Sequence, residues 1–134
     1  MTALTEEMIA SIKAVPVFPL ATASKNGIPN VAPIGMVFAK DPETLWVADN
    51  FMNKTRANVE ENPKASLYVY GAGASGCLQI KADVTVATEG ADFEQLVSIV
   101  HEKKPTLNPK ALLILKITDL FTCSPGPDAG AKLA

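Results

Sequence analysis

The chain has 134 residues, 48% of them hydrophobic and 19% charged, a balance that suits one globular domain and excludes a disordered chain. Twelve Lys and Arg against 14 Asp and Glu give a net charge of −2. That leaves no basic field for a phosphate backbone, so nucleic acid is not an expected partner. No apolar run reaches the ~18 residues of a membrane span, and Met1 to Lys13 lacks the layout of a secretory signal. Two cysteines, Cys77 and Cys123, are too few and too far apart for a stapled mini-domain or a zinc knuckle. They read as free thiols of a cytoplasmic protein.

Residues Thr5 to Ala14 place Met8, Ile9 and Ile12 at helical spacing, with Thr5 or Thr2 as cap and Glu6 and Glu7 complementing the helix dipole. Pro16 and Pro19 then flank a strand running to Thr22, and Lys25-Asn26-Gly27 signals a hairpin, because Asn-Gly takes positive φ readily. A second strand is expected over Asn30 to Ala39. Pro33 in its middle cannot donate to a ladder, which marks a bulge, an edge or a ligand contact. Asp41-Pro42-Glu43 turns the chain into a third strand, Thr44 to Ala48. Asn53 to Glu61 reads as a short helix stopped by Asn62-Pro63.

Strands Ala65 to Tyr70 and Cys77 to Ala87 follow, joined by the small-residue loop Gly71 to Gly76. The second of these alternates, with Leu78, Ile80, Ala82, Val84 and Val86 on the inner face and Gln79, Lys81, Asp83 and Thr85 on the outer. Ala91 to His101 is a helix with a stripe of Phe93, Leu96, Val97 and Val100. Ala111 to Ile117 is apolar on both faces except at Lys116, so both need cover, from this chain or from a second copy. The tail from Ser124 is rich in Pro, Gly and Ala. Six strands and three helices outside any βαβ rhythm imply a mostly β, α+β fold: an antiparallel barrel with peripheral helices.

Familiar catalytic constellations are absent. His101, the one histidine, has no partner at metal-ligand spacing and reads as a solvated helix-end residue. Gly71-Ala-Gly-Ala-Ser-Gly precedes a strand rather than a helix, so it is a hairpin loop and not a phosphate cradle. Trp46 reads as core or interface packing, Tyr68 and Tyr70 as neighbours on a half-exposed face, and Cys123 as an inert strand-end thiol. Any chemistry has to be borrowed from a cofactor.

Asp49-Asn-Phe-Met-Asn-Lys-Thr-Arg-Ala-Asn58 follows a strand and opens a helix. The first helical turn favours acids, yet this one begins with Lys54 and Arg56, each misplaced cation costing about 0.3–1 kcal/mol. A bound anion reverses that sign, because free N–H groups, the Thr55 hydroxyl and an ammonium converge on it, and phosphate is the natural candidate. The competing reading makes Asn53 an ordinary cap, with Lys54 and Arg56 as solvated surface charge.

Leu20 to Pro33, LATASKNGIPNVAP, resembles the opening hairpin of the FMN-binding split-barrel family related to pyridoxamine 5′-phosphate oxidase. Leu45 to Asn50 followed by NKTRANVEENP is similar to that family's next strand and phosphate-binding helix, and Cys123-Ser-Pro-Gly-Pro-Asp-Ala-Gly to the ending of its short members. The resemblance implies one split-barrel domain over residues 1–134, six strands in its barrel, and FMN as cofactor. Lys54 and Thr55 hold the phosphate in that picture. Ala32, Pro33 and Ile34 run along the flavin, and Val47, Ala48, Asp49, Asn50 and Phe51 line the opposite side. Gln79 reaches the cofactor across a homodimer interface, while Asn58 ties down local backbone. The implied activity is FMN-dependent oxidoreduction with a small-molecule or protein redox partner. The alternatives are a non-catalytic FMN carrier or store, and a barrel that takes haem or a deazaflavin. Full-length pyridoxamine 5′-phosphate oxidases carry further arginines and a substrate-binding C-terminal portion with no counterpart here, so pyridoxamine phosphate is not implied as substrate.

Overall fold

In the computed structural model, which describes residues 2–134, one sheet takes in every strand from Phe18 to Thr122. The elements run α1 (Glu6–Ala14), β1 (Phe18–Ala23), β2 (Pro29–Ile34), β3 (Val37–Asp41), β4 (Thr44–Asp49), α2 (Lys54–Glu61), β5 (Lys64–Val69), β6 (Leu78–Ala87), α3 (Ala91–Lys103) and β7 (Ala111–Thr122). All neighbouring strands are antiparallel, in the order β2-β1-β5-β6-β7-β4-β3. Seven strands therefore replace the six expected. The segment expected as one strand, Asn30 to Ala39, breaks at Gly35-Met36 into β2 and β3.

That break decides the architecture. β2 and β3 are the two outer strands of the sheet, yet only Gly35 and Met36 separate them in the chain. Ile34 and Val37, three residue steps apart, can stand no more than about 11 Å from each other, so the sheet has to curl until those strand ends come close. Met36 extends the β3–β4 ladder by one rung, its carbonyl accepting from Ala48 N–H at 3.1 Å. Pro33 sits on the edge strand β2, where its missing donor costs no ladder bond.

Local signals place the turns. The β1–β2 hairpin closes through Ser24 N–H to Ile28 O at 2.9 Å, and Gly27 adopts φ +84°, which only glycine takes without strain. Asp41 Oδ1 accepts from Glu43 N–H at 2.8 Å, the side-chain turn that begins the β3–β4 hairpin. Thr5 caps α1, its hydroxyl accepting from Met8 N–H at 3.2 Å.

Two apolar clusters occupy the two faces of β7. Leu113, Leu115, Ile117 and Leu120 enter the main core inside the curl, with Phe18, Leu20, Leu67 and Ile80. Leu112 on the other face packs with Trp46, Ala48, Leu96 and Val100, so α3 of the same chain covers it. β7 also continues to Thr122, beyond the expected end at Ile117. Lys81 pairs with Asp119 and Ala82 with Ile117, leaving Thr118 as an extra residue that resets the alternation. Among the described residues no helix is long and apolar enough to cross a membrane.

The cysteines correct the expectation. Cys77 and Cys123 form a disulfide, with Cα atoms 5.0 Å apart. Cys77 precedes β6 and Cys123 follows β7, so the pairing of Leu78 with Thr122 makes them the next rung, and Cys123 N–H donates to Cys77 O at 2.9 Å. A sequence separation of 46 concealed this proximity. The argument for a reducing compartment that rested on free thiols falls with it. The C-terminal segment then turns back onto β7, with Thr122 N–H donating to Ala131 O and Lys132 paired to Asp119 at 3.2 Å. Replacing both cysteines by serine removes a cross-link that closes a long loop, and is expected to cost about 2–4 kcal/mol in denaturant unfolding. The wild type under reductant should show the same loss.

Candidate functional site

Where the curled sheet fails to close, a cleft of about 490 Å³ opens, within the usual range for small-molecule sites. One wall is β2 with Gly35 and Met36. The other is the end of β4, the loop after it and the start of α2. Eight of the residues singled out from sequence line it: Ala32, Pro33, Ile34, Ala48, Asn50, Phe51, Lys54 and Thr55. The other three lie elsewhere. Val47 is fully buried in the main core, Asp49 is fully buried beneath the loop, and Gln79 stands on β6 between Tyr68 and Phe121. Tyr68 and Tyr70 are exposed and outside the cleft.

The start of α2 is open. Asn53 holds the N-cap position, but its side chain makes no capping bond and the first turn carries no acid. Ala57 N–H is the first to find a helical acceptor, Asn53 O at 3.1 Å, so the preceding N–H groups point outward without one. Thr55 is 3% exposed, and its Oγ1 accepts from Asn30 Nδ2 at 3.2 Å. With that lone pair engaged by a donor, the hydroxyl proton is directed to another acceptor. Asn50 Oδ1, also on the cleft wall, is buried without a partner, so the cleft asks for a donor as well.

The two cations of the first turn part company. Arg56 reaches Asp49 Oδ2 at 2.8 Å and Glu60 Oε1 at 2.8 Å. It is a tie, not solvated charge. Asp49, 0% exposed, also accepts from Met52 N–H at 2.9 Å, and Lys110 closes the loop from the β7 side by donating from Nζ to Met52 O at 3.1 Å and from N–H to Asp49 O at 2.7 Å. Lys54 has no ion-pair partner among the described residues and faces the cleft. Asn58 binds α2 to the sheet through Thr22 Oγ1 at 3.1 Å, a side-chain rather than a backbone tie.

Sequence reading passed over Asn30, Met36, Met52, Lys104 and Leu107, all on the cleft wall. Asn30 follows the Asn-Gly hairpin directly and was legible as a polar residue on an edge strand. Lys104 and Leu107 arrive from beyond α3 with no local signal. His101 stays outside the cleft and its Nε2 is buried without a partner, which differs from the solvated residue expected.

The chemistry this arrangement offers is recognition of an anion at the start of α2, beside a largely apolar wall. Comparison with known proteins gives that geometry a lineage. An uncharacterised protein of Methanocaldococcus jannaschii is 39% identical over 133 residues, covering 98% of this chain and 88% of its own. Among solved structures, the HupZ protein of Group A Streptococcus superposes with a TM-score of 0.80 at 25% identity, covering 95% of this chain and 99% of that one. An FMN-binding protein from Syntrophomonas wolfei gives 0.73 at 22% identity over 89% and 85%. The haem storage protein HutZ of Vibrio cholerae gives 0.68 at 19% over 91% and 95%. Residues 4–124 match the model of the family described as pyridoxamine 5′-phosphate oxidase, and the chain belongs to that family.

Proposed function

We propose that the cleft binds FMN and that the protein is an FMN-dependent oxidoreductase acting as a homodimer. The observation that carries this reading is the start of α2: uncapped, without an acid, and bearing a free ammonium beside a buried, directed hydroxyl. A phosphate satisfies all of these at once, through the outward N–H groups, Lys54 and the Thr55 O–H. Phosphate binding at that end leaves the flavin ring to the trough between Ala32–Ile34 and Ala48–Asn50, where unpartnered Asn50 Oδ1 accepts from a ring or ribityl donor. Asp49, Arg56 and Lys110 act one layer below, fixing the loop so that the phosphate site exists before its ligand arrives.

A bound flavin supplies hydride or single-electron transfer. The chain's own contribution is position and polarity, since among the described residues the ionisable side chains on the cleft wall are Lys54 and Lys104. Haem is the weaker fit. Among the described residues the wall presents no His, Cys or Tyr to ligate iron, only the thioethers of Met36 and Met52. The apolar side chains at the cleft mouth, Val31 at 66% and Phe51 at 83% exposed, favour cover by a second copy, and Gln79 of that copy is the residue assigned to complete the site. A non-catalytic flavin carrier uses the same cleft. Anaerobic mixing of the flavin-loaded protein with reduced nicotinamide and a small redox partner as acceptor separates the two: multiple turnover supports the enzyme, and equilibration with another redox protein without turnover supports the carrier.

The cofactor itself is tested by the visible spectrum of the purified protein and by the mass of what it releases; a haem spectrum would overturn the assignment. Lys54→Ala is expected to weaken FMN about tenfold, as loss of a charge-assisted bond does, while leaving riboflavin, which lacks the phosphate, unchanged. Equal loss for both ligands would refute the phosphate role. Asp49→Ala removes the buried acceptor of Arg56 and of the Met52 N–H and is expected to lower stability by about 1.5–3 kcal/mol, read as a fall in denaturation midpoint.

A further inference from the structure

The hairpin that opens the sheet also fixes one side of the anion site. Asn26-Gly27 sets the register of β1 with β2, in which Thr22 stands opposite Asn30. Residues opposite one another in an antiparallel pair send their side chains to the same face, and both of these meet α2. Asn58 Nδ2 donates to Thr22 Oγ1 at 3.1 Å, and Asn30 Nδ2 donates to Thr55 Oγ1 at 3.2 Å. Thr55 and Asn58 lie three residues apart, so they are neighbours on one face of the helix. Asn62 Nδ2 adds a third tie, to Ala23 O at 3.4 Å. Thr55 and Val59 are the buried residues of α2, so apolar packing holds the helix weakly and these polar ties set its place. The tie at Asn30 differs from the other two. Asn30 and Thr55 both line the cleft, one on β2 and one on α2, so this bond joins its two walls. A hydroxyl has one proton, and an amide N–H pointed at its oxygen leaves that proton to be given away.

We propose that Asn30 is a positioning residue of the anion site: its amide fixes Thr55 as a donor into the cleft, so that the site prefers a group made of acceptors, a phosphate monoester. The inference rests on the phosphate reading of the start of α2. Without Asn30 the Thr55 hydroxyl is free to turn toward backbone carbonyls of the preceding loop. Holding it aimed at the ligand removes an ordering cost at binding. A neutral hydroxyl or amide, which brings donors of its own, gains less from that arrangement, so the bond contributes to selectivity. Asn30 acts through Thr55, and its effect is confined to ligands that carry the phosphate.

The test is a double-mutant cycle read on flavin binding, by the change in flavin fluorescence. Asn30→Ala is expected to weaken FMN about fivefold and to leave riboflavin unchanged. In a Thr55→Val background the same substitution should cost FMN nothing further, whereas in Thr55→Ser, which keeps the hydroxyl, the loss should return. Asn30→Asp keeps a bond between the walls but reverses it, because a carboxylate takes the Thr55 proton. It is expected to weaken FMN more when Thr55 is present than in Thr55→Val, where charge repulsion alone remains. Equal losses for FMN and riboflavin would reveal a merely structural tie and overturn the proposal. No loss in Asn30→Ala, or the same loss in Thr55→Val, overturns it too. Wild type that takes no flavin, or binds riboflavin as tightly as FMN, defeats the phosphate reading of the flavin site instead. The cycle is then read with inorganic phosphate, by the rise it gives the unfolding midpoint. A rise that depends on Asn30 only where Thr55 is present sustains the proposal, and any other result, including no rise in wild type, overturns it.

Discussion

Everything functional in this molecule descends from a two-residue connection. Gly35 and Met36 join strands that lie at opposite ends of a seven-stranded sheet, and a link that short forces the sheet round on itself. Twist alone curls a sheet, but twist does not say where the edges meet. The link does. The sheet stays open all the same, because β2 and β3 do not pair with each other. The cleft opens beside the link, between β2 and the end of β4 with the start of α2, so the site is a consequence of topology before any side chain is considered.

The loop from Asp49 to Asn53 converts that gap into a polar site. A buried carboxylate is costly unless it is well satisfied, and Asp49 is held by Arg56, Lys110 and the Met52 N–H. Tying Arg56 down has a second effect. It removes one cation from the helix start and leaves Lys54 as the free charge there. The unfavourable placement of positive charge at a helix N-terminus is thus half neutralised by the protein and half left for a ligand. The absence of a capping bond from Asn53 has the same sense: a residue type well suited to closing the helix start leaves it open.

Much of this was legible in the residues. Hairpins at Asn26-Gly27 and Asp41-Pro42 announced themselves through turn chemistry, and the alternation of β6 gave its inner face directly. Eight cleft residues were reachable because they sit on two contiguous stretches, 30–36 and 48–55. What escaped was non-local. Nothing around Gly35 shows that its neighbours belong to opposite sheet edges, since an apolar segment reads as one strand until the pairing is known. Cys77 and Cys123 meet only because β6 and β7 pair to their ends, past a bulge at Thr118 that hides the continuation of β7. Asp49 was assigned to the cleft as part of the stretch Val47 to Phe51 that the family resemblance implies. The alternation of β4 into the loop turns it under instead, where an acid serves as an anchor.

These failures share a cause that bears on how the site is built. A strand's local pattern reports which face is buried, but not what covers it. For β7 the cover proved to be α3, which packs Leu96 and Val100 against Leu112 and Trp46. The same helix then ends at Pro105 and delivers Leu107 to that cluster and Lys104 to the cleft. One packing arrangement therefore both shields the back of the sheet and brings Lys104 and Leu107 to the cleft wall. Loosening the contact of α3 with β4 would move the ammonium as well as expose the apolar face, so stability of the second cluster and charge placement in the cleft are mechanically linked.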